Sequence, residues 1–273
     1  MIRVVDVPLP GPTALQLASW QTEVTNVPAY KDRVTMAQER FAQRNRRTNP
    51  VFATVRQHLD AMCHGSSRCV YCEDSLADEV EHVRPKALFP DEVFVWRNYI
   101  YACGPCNGAK RSNYPRLVGQ QVQMLQRRKG DAIVPPPPGI DLLIDPRTED
   151  PAAYLMLDLG TQRIVPLLRL DSVRHLRAMQ TIEVLRLDRS GLIRQRAQQF
   201  ANYVARLKEY LHLRDNDDRA DAEGYAADIR RMGHPTVWNE IRRHQVNWPQ
   251  LHALFVRAPE AIAWDPLPQG LPS

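Results

Sequence analysis

Apolar positions fall at helical spacing over most of the chain. From Tyr30 to Arg47 the pattern is that of one helix, ending in a basic run of Arg44, Arg46 and Arg47. Asn49-Pro50 opens a second, with Val51, Val55, Leu59 and Met62 on one stripe. The same spacing dominates after residue 170. Asp171 to Leu187 places Leu176, Met179, Ile182 and Leu185 on one face. Asp188-Arg189-Ser190 then caps a long helix in which Ile193, Ala197, Phe200, Val204, Leu207 and Leu211 alternate spacings of four and three. That seam predicts a bundle core. Asp215 to Asp218 breaks it. Arg219 to Met232, Pro235 to Gln245 and Leu251 to Val256 follow as shorter helices, with Trp238 and Trp248 as packing anchors. Residues 1–28, which carry Pro8, Pro10, Pro12 and Pro28, predict an arm packed on something larger.

Strand signals are few. Val80 to Val83 alternates apolar and polar and stops at Arg84-Pro85, because the residue before proline is pushed off regular geometry. Val93 to Ala102 is aromatic and β-branched and reads as a second strand. Leu155 to Leu159 and Arg163 to Leu168 predict a hairpin turning at Gly160-Thr161. Leu117 to Lys129 reads as a helix with a basic end. Asp131 to Gly139 contains four consecutive prolines and predicts a stiff polyproline connector. The expected class is α+β and mostly helical. The expected units are 1–130, a connector at 131–141, and an α-rich unit at 142–273 with a small hairpin and a helical bundle.

Charge adds a mild bias. The 273 residues are 44% hydrophobic and 25% charged, which suits a globular chain of one or two domains. Lys and Arg number 36 against 31 Asp and Glu, giving +5, a balance compatible with a nucleic-acid partner. No apolar run reaches membrane-spanning length, and the first residues lack a signal peptide's apolar core. A cytoplasmic protein without a membrane partner is expected. Four of five cysteines form two knuckles, which fits a reducing compartment. Cys63 is left over as a small buried hydrophobe. No internal repeat, Walker loop or dinucleotide fingerprint is present.

The chemistry concentrates between Arg68 and Asn113. Cys69/Cys72 and Cys103/Cys106 can close a tetrahedral zinc site, each knuckle supplying two corners. The gap between them holds Glu81-His82 and the two predicted strands. After Cys106, the spacing of Asn107, Lys110 and Arg111 puts all three on one helical face. A carboxylate and an amide oxygen can hold one hard cation and leave positions for phosphate and water. A neutral imidazole can take the water's proton. One difficulty stands: on a regular strand Glu81 and His82 point to opposite faces, so the strand must twist or end there.

This run of residues, Cys-x-x-Cys, then Glu-His-x-x-Pro, then Asn98, then Cys-x-x-Cys-Asn-x-x-Lys, resembles a zinc-stapled HNH (ββα-metal) endonuclease. The resemblance implies Cys69, Cys72, Cys103 and Cys106 as ligands of a structural zinc and His82 as general base. It implies Glu81 and Asn107 as ligands of a catalytic Mg²⁺ or Mn²⁺, and Asn98 as the residue that holds the loop between the strands. Arg84, Lys86, Lys110 and Arg111 are the expected nucleic-acid contacts. Glu81 stands where Asp is commoner, and Asn107 where His is. The Asp-Pro-Arg, hairpin and helix succession downstream also resembles a bacterial group that includes nuclease subunits of Septu-type anti-phage systems, which work beside an ATPase. The expected function is therefore DNA cleavage in defence, with an ATPase or other regulatory partner docked on the α-rich half and a homodimer as one route to a double-strand break. Two rivals belong to other classes: a zinc-bearing binding or scaffolding subunit with an inactive site, and an RNA-directed nuclease toxin.

Overall fold

The computed structural model describes residues 1–65, 67–268 and 270. It is α+β and about 51% helical, with small sheets. The chain opens with α1 (Gly11–Thr25), where a proline-rich arm was expected. Pro10 sits at the N-cap and Pro12 in the first turn, where a missing backbone N–H is harmless because no intrahelical partner exists for it. The prolines thus start a helix instead of preventing one. Helix α2 (Tyr30–Arg44) and α3 (Pro50–Ala61) follow, the latter capped by the Asn49 side chain, which accepts from the amides of Val51 and Phe52.

Strands β1 (Glu79–His82) and β2 (Tyr99–Ala102) pair antiparallel, with Glu81 opposite Ile100 and His82 opposite Tyr99. The second strand is shorter than the sequence pattern suggests. Pro90–Glu92 and Trp96–Asn98 form 3₁₀ turns before it, so Asn98 lies in a turn and not within a strand. Helix α4 (Gly104–Lys110) comes next. The expected helix at Leu117 to Lys129 is instead a hairpin of β3 (Tyr114–Val118) and β4 (Gln121–Leu125), turning at Gly119 with a φ of +60°. The alternation Gln121-Val122-Gln123-Met124 is a period-two signal that the basic end of the segment obscures. β5 (Ile140–Asp141) joins the same sheet alongside β3. The approach is close: a Cβ on Gly139 would lie 2.5 Å from the Leu117 carbonyl oxygen.

The remaining strands, β6 (Leu155–Asp158) and β7 (Arg163–Pro166), form the expected hairpin. Helices α5 (Ser172–Val184), α6 (Ser190–Asp215), α7 (Arg219–Arg231), α8 (Pro235–His244) and α9 (Pro249–Arg257) complete the chain. Their buried faces differ from the predicted stripes. On α5 the inward residues are Ala178, Thr181 and Val184, while Met179 is exposed. On α6 they are Leu192, Arg196, Tyr203, Leu207, Tyr210 and Leu211. Polar Arg196 and two tyrosines occupy core positions because their heads find partners: Arg196 donates to the Leu187 and Gln162 carbonyls, and the Tyr203 hydroxyl to Gly233. A hydropathy stripe does not register such residues. Trp238 is fully buried and stacks with Tyr203, Phe255 and Trp264, whereas Trp248 is exposed and anchors nothing comparable.

Buried apolar residues from both sides of 131–141 form one contiguous cluster. Specific polar contacts tie the ends together. Val4 N donates to the Pro146 carbonyl, and buried Arg147 reaches Asp6 and the carbonyls of Trp96 and Tyr99. Among the described residues, no helix is long and apolar enough to cross a membrane. Cys63 is fully buried with its thiol against the Leu59 carbonyl, and burial raises its pKa.

Candidate active site

The four knuckle cysteines converge. Their sulfurs all lie within 4.8 Å of one another, and all four residues are buried. Zn–S bonds of about 2.3 Å in a tetrahedron put sulfurs about 3.8 Å apart. Cys72 Sγ and Cys103 Sγ are separated by 3.8 Å. The cluster therefore fits a zinc ion. Cys69 and Cys72 come from the loop before β1, Cys103 caps α4 and Cys106 lies within it, so the site ties the loop, the strand pair and the helix together.

The helical second half of the chain meets this cluster directly. Arg189, just before α6, places Nη1 and Nη2 at 3.6 and 3.7 Å from Cys106 Sγ. Next to Cys72, buried Glu73 pairs with the Met1 ammonium at 2.7 Å and accepts from Thr236 N and Oγ1. Burial pushes the Glu73 carboxyl up, but the Met1 ammonium, Thr236 and His234 outweigh it and leave the pKa lowered. The His234 ring bonds Asp74, lowering that carboxyl too. None of these partners is visible in the knuckle spacing.

A cleft of about 560 Å³ opens beside β1, within the range of ~300–1,000 Å³ usual for ligand sites. Glu79, Glu81, His82, Lys86, Asn107 and Arg111 all line it. β1 ends at His82. This allows Glu81 and His82, on opposite pleats, to border the same space.

Buried His82 has one well-defined partner. Its Nε2 lies 3.0 Å from the Val93 carbonyl oxygen, which can only accept. Nε2 therefore carries the proton, and Nδ1 is left as the basic end of the ring. Phe41 and Tyr99 pack edge-on against the imidazole, at 4.5 and 5.1 Å between centroids. Burial first, then the charges of Lys86 and Lys110, hold the pKa well below the usual histidine value. The ring is neutral near pH 7.

Helix α4 and β1 meet in register. Glu79 and Glu81, two apart on the strand, face Asn107 and Lys110, three apart on the helix. Lys110 Nζ donates to Glu81 Oε1 at 2.6 Å and to the His82 carbonyl at 2.7 Å. Asn107 Nδ2 donates to Glu79 Oε2. Because its NH₂ is committed there, the Asn107 carbonyl oxygen is the end left for a cation or substrate. Glu79 is absent from the sequence reading, and its spacing of two from Glu81 is the signal that could have found it.

Two expected nucleic-acid contacts lie elsewhere. Lys110 is fully buried in its ion pair, so no phosphate can reach it. Arg84 is held by Glu92 and Asp141 in a second pocket, its charge already balanced. Lys86 stays in the main cleft, its ammonium 4.8 Å above the Phe41 ring. Arg111 is exposed at the end of α4. Asn98 is outside the cleft. Its Oδ1 accepts from Arg84 N at 2.8 Å, and its Nδ2 donates to the carbonyls of Arg84 and Glu92 at 3.0 Å. It thereby fastens the loop that carries Val93.

No protein-family model matches the chain. One curated protein is similar: Septu protein PtuB of Bacillus thuringiensis, 44% identical over 50 residues. The match covers 16% of this chain and 20% of the relative, so the chain matches about a fifth of that protein's length.

Proposed function

We propose that the chain is a metal-dependent HNH endonuclease that hydrolyses phosphodiester bonds in DNA. In this reading it is the nuclease component of an anti-phage system, with an ATPase partner and a structural zinc in the four-cysteine cluster. The observation that carries the reading is His82. Its Nε2–H is committed to Val93 and its Nδ1 is basic, in a cleft shared with a carboxylate and an amide oxygen. That is a general base with its tautomer set.

The donor set fits a hard cation. Glu81 uses only Oε1 for Lys110, and Asn107 has its carbonyl oxygen free of the Glu79 contact. Glu81 and Asn107 would hold a Mg²⁺ or Mn²⁺ ion, whose charge would stabilise the scissile phosphate. The chain's own groups do the rest. His82 Nδ1 takes the proton of the attacking water. Phe41, Tyr99 and Val93 keep the ring from rotating. Asn98 holds the Val93 loop, and Lys110 braces both Glu81 and the His82 backbone. Lys86 and Arg111 border the cleft as cations for the phosphate backbone. One base in one cleft cuts one strand per engagement, so a double-strand break takes two copies or a second nuclease.

Plasmid cleavage in Mg²⁺ or Mn²⁺ tests this. Loss of a general base costs about 10²–10⁴-fold. His82→Ala should fall by that factor while zinc content and DNA affinity persist. Undiminished cleavage by His82→Ala would place the base elsewhere. A wild-type protein that cleaves neither DNA nor RNA, even with a candidate ATPase partner added, would favour a binding subunit.

A further inference from the structure

We infer that the groove between α4 and the α5–α6 junction is a track for the phosphodiester backbone of the nucleic acid, so that the helical second half binds substrate as well as bracing the zinc cluster. This deepens the nuclease reading and rests on it. The groove measures about 570 Å³ and is lined by Arg111, Arg186 and Arg189 with Gly108, Ala109 and Asn113, and by no acidic residue.

Three observations converge on a polyanionic strand. First, the groove adjoins the cleft: Arg111 lines both. Second, its charge is unspent. Many arginines of this chain are held by carboxylates, Arg84, Arg116, Arg147, Arg177 and Arg196 among them. Among the described residues, Arg111 and Arg186 have no acidic partner. Both are exposed, and the Arg111 guanidinium donates only to its own helix at Gly108 O. Arg189 is fixed against Cys106, which sets the far wall of the groove. Third, the floor is low. Gly108 and Ala109 carry almost no side chain, and a Cβ on Gly108 would meet nothing within 4 Å. A sugar–phosphate chain can therefore lie close to α4 with guanidinium forks on either side. Arg111 follows the helix with φ at +47°, a positive φ that glycine adopts most readily.

Binding is measured on the His82→Ala background, by anisotropy of labelled duplex DNA and of labelled single-stranded RNA. Arg186→Glu and Arg111→Glu should each weaken binding about 10-fold and lower the slope of log affinity against log salt by about one. Arg219→Glu makes the same charge change on α7, outside the lining of the groove, and should leave both unchanged. Arg186→Lys should recover most of the loss. A Kd and salt slope for Arg186→Glu equal to those of Arg219→Glu would overturn the track while leaving the nuclease reading intact. Failure of the His82→Ala protein to bind either probe would overturn both.

Discussion

Replacing Lys110 separates the buried ion pair from the surface role suggested by its helical spacing. Its side chain is 0% exposed and that of Glu81 8%, and Nζ serves both the Glu81 carboxylate and the His82 carbonyl. Lys110→Met keeps the length of the side chain and deletes the charge. Glu81 is then left charged and mostly buried, and the His82 carbonyl loses its donor. Breaking a buried pair from one side costs about 3–5 kcal/mol. A lysine that merely touched phosphate from the surface would cost about 0.5 kcal/mol or less. Urea unfolding of zinc-loaded protein in Mg²⁺-free buffer, followed by far-UV circular dichroism and tryptophan fluorescence, distinguishes the two. The cycle is closed with Glu81→Gln and with the double variant. Once Glu81 is neutral the lysine has little left to stabilise, so the double variant should recover at least about 2 kcal/mol relative to additivity. A cost for Lys110→Met below about 1 kcal/mol, or additive single effects, would refute the ion-pair account.

Three other outcomes are expected. Cys69→Ser or Cys106→Ser should drop zinc from about one equivalent towards none by elemental analysis and destabilise the strand–strand–helix unit, since zinc sites contribute directly to folding. Asn98→Ala removes three hydrogen bonds and leaves part-buried backbone groups unpaired, a cost of about 3 kcal/mol in chemical denaturation; Asn98→Asp, which turns a carboxylate oxygen toward the carbonyls of Arg84 and Glu92, should cost at least as much. Acid should weaken the junction at Glu73 and Asp74. Both carboxyls are lowered in the folded chain, so below about pH 4.3 the unfolded state binds more protons. Their stabilisation is complete above that pH and is lost as pH falls through the folded values. In thermal melts from pH 7 to 3, Glu73→Gln should start lower and show a shallower acid decline.

Much of the centre was legible in short-range spacing. Two residues between cysteines put two thiolates on adjacent corners of one ion, whatever surrounds them. The pair Glu81-His82 before Arg84-Pro85 marks a strand end, and the structure ends β1 at His82. The hairpin of β6 and β7 and the start of α3 at Asn49-Pro50 are equally local, set by turn and cap chemistry. Where the local signals competed, reading failed: prolines that begin α1 suggested an arm, and a basic end hid the alternation of β4.

What a charged side chain does, by contrast, was decided only in three dimensions. Lys110 and Arg111 are neighbours on one short helix, yet one is sealed against Glu81 and the other stands free at the cleft. Arg84 looked like a phosphate contact until β5, at the end of the connector, brought Asp141 to it. Glu73 needed Thr236, and Cys106 needed Arg189, partners from the far end of the chain. The physical reason is the range of the forces involved. Capping, turn strain and ligand spacing act over a few residues and are written in local order. Whether a charge is solvated or paired depends on which surfaces are buried together, and burial belongs to the folded chain as a whole.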